Sequence, residues 1–287
     1  MFERAAPRWT RHRFIAFDRT AIAYYRLETP GSPRAVFLIV HGMGEHGGRY
    51  HEFADRFAAR NIASFMPDLR GFGMSGGKRG CAKSFSDYFQ DLDVVYRLTR
   101  QAYPGAPVFV LGHSFGGLLV SSWLAQDDHE VRGLVLSSPN FGIAIQVPAW
   151  RHWLGLAASS LCPDLTQDNR VNVARLTHDS SLLLASSKDP LIHHRISARL
   201  YAELVKWLAR TDETAGRLRL PSLVLQAGDD HIVLRSATEH FFQKLASLDK
   251  EITVYEGFYH EILNEVGRAE VYSRILSWAE KHLAAHP

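Results

Sequence analysis

Short runs of apolar, β-branched residues alternate along the chain with stretches whose apolar positions recur every three or four residues. That alternation predicts an α/β fold, a mostly parallel sheet with helices on both faces. The run Ala35–Val40 contains no polar position, which predicts a central strand buried on both sides. Further strands are expected at 62–66, 108–111, Gly133–Ser137, 223–226 and 252–255. Residues 13–17 and 21–26 read as an N-terminal hairpin about Asp18-Arg19-Thr20, which brings the total to eight strands. Helical spacing predicts helices over 50–60, Phe85–Ala102, 114–126, 196–209 and 268–283.

One interval breaks this rhythm. About 85 residues separate Ser137 from Leu223, where a parallel crossover needs only a dozen or more. An insertion over 139–217 therefore interrupts a core formed by 1–138 and 218–287. It carries Trp150, Trp153, Leu154, Leu156, Ala157 and Leu161 close together. Two readings stand: a lid over the strand ends, or an ordinary helical subdomain with its tryptophans packed inward.

Composition narrows the function classes. A chain of 287 residues with 46% hydrophobic and 22% charged residues can build a full core, which excludes a disordered or fibrous protein. Two cysteines, Cys81 and Cys162, make no disulfide framework. The net charge is +3, and the densest basic stretch is Arg4, Arg8, Arg11 and Arg13. No basic stripe interleaved with aromatics appears, so nucleic acid is not expected as a partner. The first residues lack a continuous apolar leader segment, and no run approaches the roughly 18 apolar residues of a membrane span. The expectation is a cytoplasmic protein whose only contact with a membrane is peripheral, through the insertion.

The chemistry sits in three segments. Gly112-His113-Ser114-Phe115-Gly116 matches G-x-S-x-G between a predicted strand and a predicted helix, the context of a nucleophile elbow. Ser114 needs a base, and the base needs an orienting carboxylate; in this architecture they follow in the order Ser, acid, His. His260, after the last strand and a glycine turn, fits the base. Asp229 and Asp230 follow the preceding strand. Asp230 is the better placed, because Val233, three residues on, can anchor the returning chain. The oxyanion hole is expected from the N–H groups of Phe115 and Met43, the latter in His41-Gly42-Met43-Gly44-Glu45-His46. Gly71-Phe72-Gly73-Met74-Ser75-Gly76 spells G-x-G-x-x-G, but no helix opens at that turn, so it is read as a rigid loop rather than a dinucleotide site. No H-E-x-x-H motif or histidine cluster suggests a metal, and no cofactor is expected.

The segments His41–Tyr50, Asp68–Gly76, Gly112–Gly117, Asp189-Pro190-Leu191 and Tyr255-Glu256-Gly257 before His260 resemble, in order, those of monoacylglycerol lipases and bacterial lysophospholipases of the serine aminopeptidase-like group of α/β-hydrolases. The likeness spans about 13 to 283. It implies an α/β-hydrolase fold with a lid between the sixth and seventh strands, and hydrolysis of lipid monoesters through Ser114, His260 and Asp230. By the same resemblance Glu45 and Arg49 hold the polar head of the substrate, or else form a buried ion pair bracing the oxyanion loop. Trp150, Trp153 and Leu154 are expected to meet the substrate from the lid. One departure bears on the head group. Glycerol-specific members can carry a histidine three residues after the catalytic one, and here Leu263 stands there. A general carboxylesterase or peptidase would use the same triad, whereas a receptor on this scaffold would not need a complete one.

Overall fold

A computed structural model of the chain describes residues 8–144, 148–169 and 171–284; Arg4 of the basic N-terminal stretch lies outside them. Eight strands form one sheet: β1 (Arg8–Ile15), β2 (Ala21–Glu28), β3 (Ala35–Val40), β4 (Ile62–Pro67), β5 (Val108–His113), β6 (Gly133–Ser137), β9 (Ser222–Ala227) and β10 (Lys250–Tyr255). Their spatial order is β1-β2-β4-β3-β5-β6-β9-β10. From β4 to β10 every neighbouring pair is parallel, and β2 joins β4 antiparallel. A two-stranded antiparallel ribbon, β7 (Thr166–Asp168) with β8 (Arg195–Ser197), stands apart from the sheet.

Alternation along each central strand explains why the runs are apolar throughout. Val36, Leu38 and Val40 point into one core with α2 (Phe85–Ala102), α3 (Phe115–Leu124) and α8 (Arg235–Lys244). Phe37 and Ile39 point into the other, with α1 (His51–Ala58) and α9 (Arg268–Ala284). Residues buried on both faces of a parallel sheet leave no polar side to a strand. The N-terminal hairpin is the exception. β1 runs Arg8–Ile15 rather than over 13–17, because Ala16 N–H bonds the Thr20 carbonyl and Arg19 takes φ 67 in the turn. As an edge strand with one exposed face, β1 alternates with arginines, so the apolar pattern placed it too late.

The insertion has two parts. α6 (Ala198–Leu208) and α7 (Thr211–Arg217) join the core: Leu200, Leu204, Trp207 and Ala215 share the cluster with α2 and α3, and Trp207 stacks on Phe85 at 5.6 Å. α4 (Ala149–Leu161), the ribbon and α5 (Ser180–Lys188) stand above the ends of the strands. α4 turns its inner side to α6, where His152 Nδ1 lies 2.9 Å from the Tyr201 hydroxyl and Gly155 sits against the same ring. Its opposite side bears Trp150, Trp153, Leu154 and Leu161, exposed by 60%, 67%, 60% and 82%.

Candidate active site

Ser114 sits between β5 and α3 with φ 51 and ψ −117, a conformation that costs a non-glycine residue about 1–3 kcal/mol. The backbone around it holds the strain. Ser114 N–H donates to the Ser137 carbonyl at 3.0 Å, and the Ser114 carbonyl accepts from the N–H groups of Gly117 and Asn140. The glycines are required by space: a Cβ on Gly116 would run into the Val40 and His41 carbonyl oxygens, and one on Gly112 would meet the Gly116 carbonyl at 2.6 Å. The turn thus puts Ser114 at the N-terminus of a ten-residue helix, facing the positive end of its dipole.

His260 arrives on the loop after β10, and Asp230 on the loop after β9. His260 Nδ1–H donates to Asp230 Oδ2 at 2.8 Å, which leaves Nε2 to accept from the Ser114 hydroxyl at 2.8 Å. Asp230 Oδ1 accepts the N–H groups of Ile232 and Val233 at 2.9 and 3.0 Å. Burial raises the Asp230 carboxyl, but the positive charge and hydrogen bond of His260 and the two N–H donors outweigh it, and its pKa falls below the usual value. Burial alone would push the His260 imidazole down; the Asp230 charge reverses this and leaves it above the ordinary histidine value. His113, tilted against His260 at 5.0 Å, is driven down by burial and by His260, so it stays neutral and adds no opposing charge. Asp229, by contrast, faces solvent and pairs with His231 at 3.1 Å.

The loop after β3 is pinned at one peptide after another. His41 Nε2 accepts from Leu69 N–H at 2.9 Å, so its Nδ1–H donates to the Gly42 carbonyl at 2.7 Å. Gly42 N–H donates to Glu45 Oε1, which also accepts the Tyr50 hydroxyl. Gly44 takes φ +90, and its carbonyl accepts His193 N–H from the insertion at 3.0 Å. No described group takes the N–H of Met43 or of Phe115; Phe115 directly follows Ser114 in the chain, and Met43 lines the same cavity as Ser114. The loop at 68–76 also braces this segment: Asp68 accepts the N–H groups of Gly47 and Met74, and the nearest following helix opens only at Phe85.

Glu45 and Arg49 line the cavity next to Ser114, but their charges are engaged elsewhere. The Arg49 guanidinium bonds Glu45 Oε2 at 2.8 Å and grips both carboxylate oxygens of Glu261 at 2.8 Å, with Ser186 on its remaining side. Both carboxylates are buried and the Arg49 side chain is 12% exposed; breaking such a set by removing one partner typically costs about 3–5 kcal/mol. Of the two readings of this pair, the geometry favours the brace. Glu261 was missed in the sequence; its only signal was its position directly after His260. Leu263 lies in the core against α9 and does not reach the cavity. Asn140 and Tyr201, both on the cavity wall, also carried no motif.

The cavity measures about 480 Å³, within the range of small-molecule sites. Ser114, His260 and Met43 form its floor, and insertion residues such as Leu176, Leu183, Ile192, Ile196 and Leu204 form much of its wall. Trp150, Trp153 and Leu154 do not line it. They lie on the outward side of α4, because the inward side is filled by its packing on α6. A serine with a hydrogen-bonded imidazole–carboxylate pair, beside a largely apolar cavity, is equipped for acyl transfer.

Comparison with known proteins adds the family. A family model described as serine aminopeptidase, S33, matches residues 31–267. Phospholipase YtpA of Bacillus subtilis is 32% identical over 253 residues, 88% of this chain and 97% of that protein. The monoacylglycerol lipase of Mycolicibacterium smegmatis is 30% identical over 277 residues, 95% of this chain and 97% of that protein. Among solved structures, Paleococcus ferrophilus monoacylglycerol lipase superposes with a TM-score of 0.82 at 26% identity, covering 96% of this chain and 99% of that one. A soluble variant of the Saccharomyces cerevisiae monoglyceride lipase shares the fold, with a TM-score of 0.83 at 21% identity over 97% and 96% of the two chains.

Proposed function

The chain belongs to the serine aminopeptidase S33 family and has the α/β-hydrolase fold, and from that premise we propose that it hydrolyses lipid monoesters through an acyl-enzyme on Ser114. At the coarser level it is a hydrolase of the lipase and esterase kind. The observation that carries the finer reading is the unbroken hydrogen-bond chain from Ser114 through His260 to Asp230 at the floor of an apolar cavity. Ser114 Oγ attacks the ester carbonyl while His260 Nε2 takes its proton. The N–H groups of Met43 and Phe115 stabilise the tetrahedral oxyanion, each typically contributing about 2.7–4 kcal/mol. His260 returns the proton to the leaving alcohol, then activates a water that cleaves the acyl-enzyme.

The core at 1–138 and 218–287 supplies these groups, and the insertion at 139–217 supplies the cover. The exposed apolar side of α4 fits peripheral contact with a membrane or micelle, from which a lipid monoester has to be collected. Among the described residues no helix is long and apolar enough to cross a membrane.

A monoacylglycerol is favoured over a lysophospholipid. The Arg49 guanidinium already gives four of its N–H groups to two carboxylates and Ser186, so its charge is met within the protein rather than held for a phosphate. Turnover of a monoacylglycerol, the matching lysophosphatidylcholine, a p-nitrophenyl ester and a peptide amide decides the matter. The monoacylglycerol should give the highest kcat/KM. Preference for the lysophospholipid would overturn the head-group assignment, and preference for the peptide would overturn the esterase reading.

A further inference from the structure

The segment Asp189-Pro190-Leu191 carries part of the resemblance but has no role in the mechanism above; it follows α5 in the insertion. Asp189 Oδ1 accepts Leu191 N–H at 2.8 Å, and its Oδ2 lies 2.9 Å from His46 Nε2 on the loop after β3. The other side of that ring fixes its tautomer: His46 Nδ1 accepts Gly48 N–H at 3.2 Å, so Nε2 carries the hydrogen that Asp189 takes. Burial would raise the Asp189 carboxyl, but the hydrogen bonds from His46 and Leu191 and the charge of Arg49 hold it below the usual value. His46 in turn caps the short helical turn Gly47–Tyr50, from which Arg49 and Tyr50 reach back to Glu45, the acceptor of Gly42 N–H.

A second tie lies at His193, whose N–H donates to the Gly44 carbonyl at 3.0 Å. Gly44 has φ +90, and a Cβ there would meet the His193 carbonyl oxygen at 2.7 Å, so the turn and the close approach of the insertion both require glycine. His193 Nε2 lies 2.9 Å from the Gly71 carbonyl oxygen, and its ring stacks on Phe72 at 5.0 Å. The two ties grip the loop at Gly44 and His46, just beyond Met43, whose N–H has no acceptor among the described residues. Ile192, between the ties in the chain, lines the cavity. One segment of the insertion thus forms cavity wall and holds the peptides that follow Met43.

We propose that Asp189 is a positioning residue: through His46 it holds the loop after β3 so that Met43 N–H meets the oxyanion formed at Ser114. This rests on the serine-esterase reading above. Oxyanion donors act because they are fixed before the charge develops, and a displacement of about 1 Å, caused far from the chemistry, can cost about 10²-fold in rate. The insertion is then part of the reacting site and not only its cover.

The test uses Asp189→Ala, His46→Ala and the double variant, with turnover of p-nitrophenyl decanoate expressed per Ser114 that a fluorophosphonate labels. Two inhibitors separate the roles. An alkyl trifluoromethyl ketone adds to a serine and places an oxyanion in the hole, whereas an unreactive alkyl ether only fills the cavity. Asp189→Ala should lower kcat about 10- to 100-fold, weaken the ketone by a similar factor and leave the affinity for the ether unchanged. His46→Ala should match it, and the double variant should be no worse than either single change, because both break the same link. Asp189→Asn, equal in size but one acceptor short, should show the same split to a smaller degree, and it carries the test if the alanine variant folds poorly. Unchanged kcat per labelled serine would overturn the proposal. So would equal weakening of ketone and ether, which marks a wall contact only, or additive losses in the double variant. If the wild type is neither labelled nor turns over the ester, the serine-esterase reading itself falls, and this inference with it.

Discussion

Adjacent carboxylates at 229 and 230 end in opposite environments. Asp230 folds inward, where two N–H groups and His260 occupy its oxygens. Asp229 stays half in solvent beside His231. If Asp230 orients the base, Asp230→Asn should lower kcat by roughly 10⁴-fold, the loss seen when this role fails in a serine protease, while Asp229→Asn changes kcat little. The pH profile supplies a second reading. His260 must be neutral to accept the Ser114 proton, and the Asp230 charge raises its pKa. Activity should therefore fall, as pH drops, along a limb above the ordinary imidazole value of about 6.5. In Asp230→Asn that limb should move to lower pH. Rate profiles of both variants check the ranking, and the reverse order would transfer the role to Asp229. Which of the two turns inward was legible in the sequence because Val233 sits three residues beyond Asp230, and its N–H does bond that carboxylate. The engagement of Arg49 by Glu261 was not legible, since it joins residues 212 positions apart.

Among the elements, what the chain pattern revealed follows from burial. The central strands, hidden on both faces, read as continuous apolar runs and were placed within a residue or two. The ribbon of β7 and β8 is three residues a strand and carries polar side chains, so periodicity gave no sign of it. The insertion was visible as an interval, but not its division: Trp207 packs in the core, while Trp150 and Trp153 face outward. Spacing alone marks an apolar stripe without saying what covers it. On α4 nothing in the described chain covers it, and a charge there should be tolerated by the fold. Trp153→Asp should leave the melting temperature within the small range of surface substitutions, about ±0.5 kcal/mol in stability. Its activity on micellar monoacylglycerol should fall, and its activity on a short, dissolved p-nitrophenyl ester should not. Equal loss on both substrates, or marked destabilisation, would show that this side of α4 is packing and not an interface.

At the scale of the molecule, a rigid sheet and a covering segment meet around one serine. The insertion is tied to the sheet at the loop after β3: His193 N–H bonds the Gly44 carbonyl, and His46 Nε2–H donates to Asp189 at 2.9 Å. Glu261 N–H bonds the Leu176 carbonyl on the far side of the triad. Cover and reacting groups therefore share hydrogen bonds, so the floor and the wall of the cavity are built as one unit. Everything proposed for that unit depends on Ser114 being an activated nucleophile. The direct measurement is intact-mass and peptide mapping of the wild type and of Ser114→Ala after exposure to a fluorophosphonate, with ester turnover measured on the same samples. One equivalent of label on Ser114, no label in Ser114→Ala and a turnover in that variant reduced by orders of magnitude is the result expected. Label on another residue, or undiminished turnover by Ser114→Ala, would contradict it.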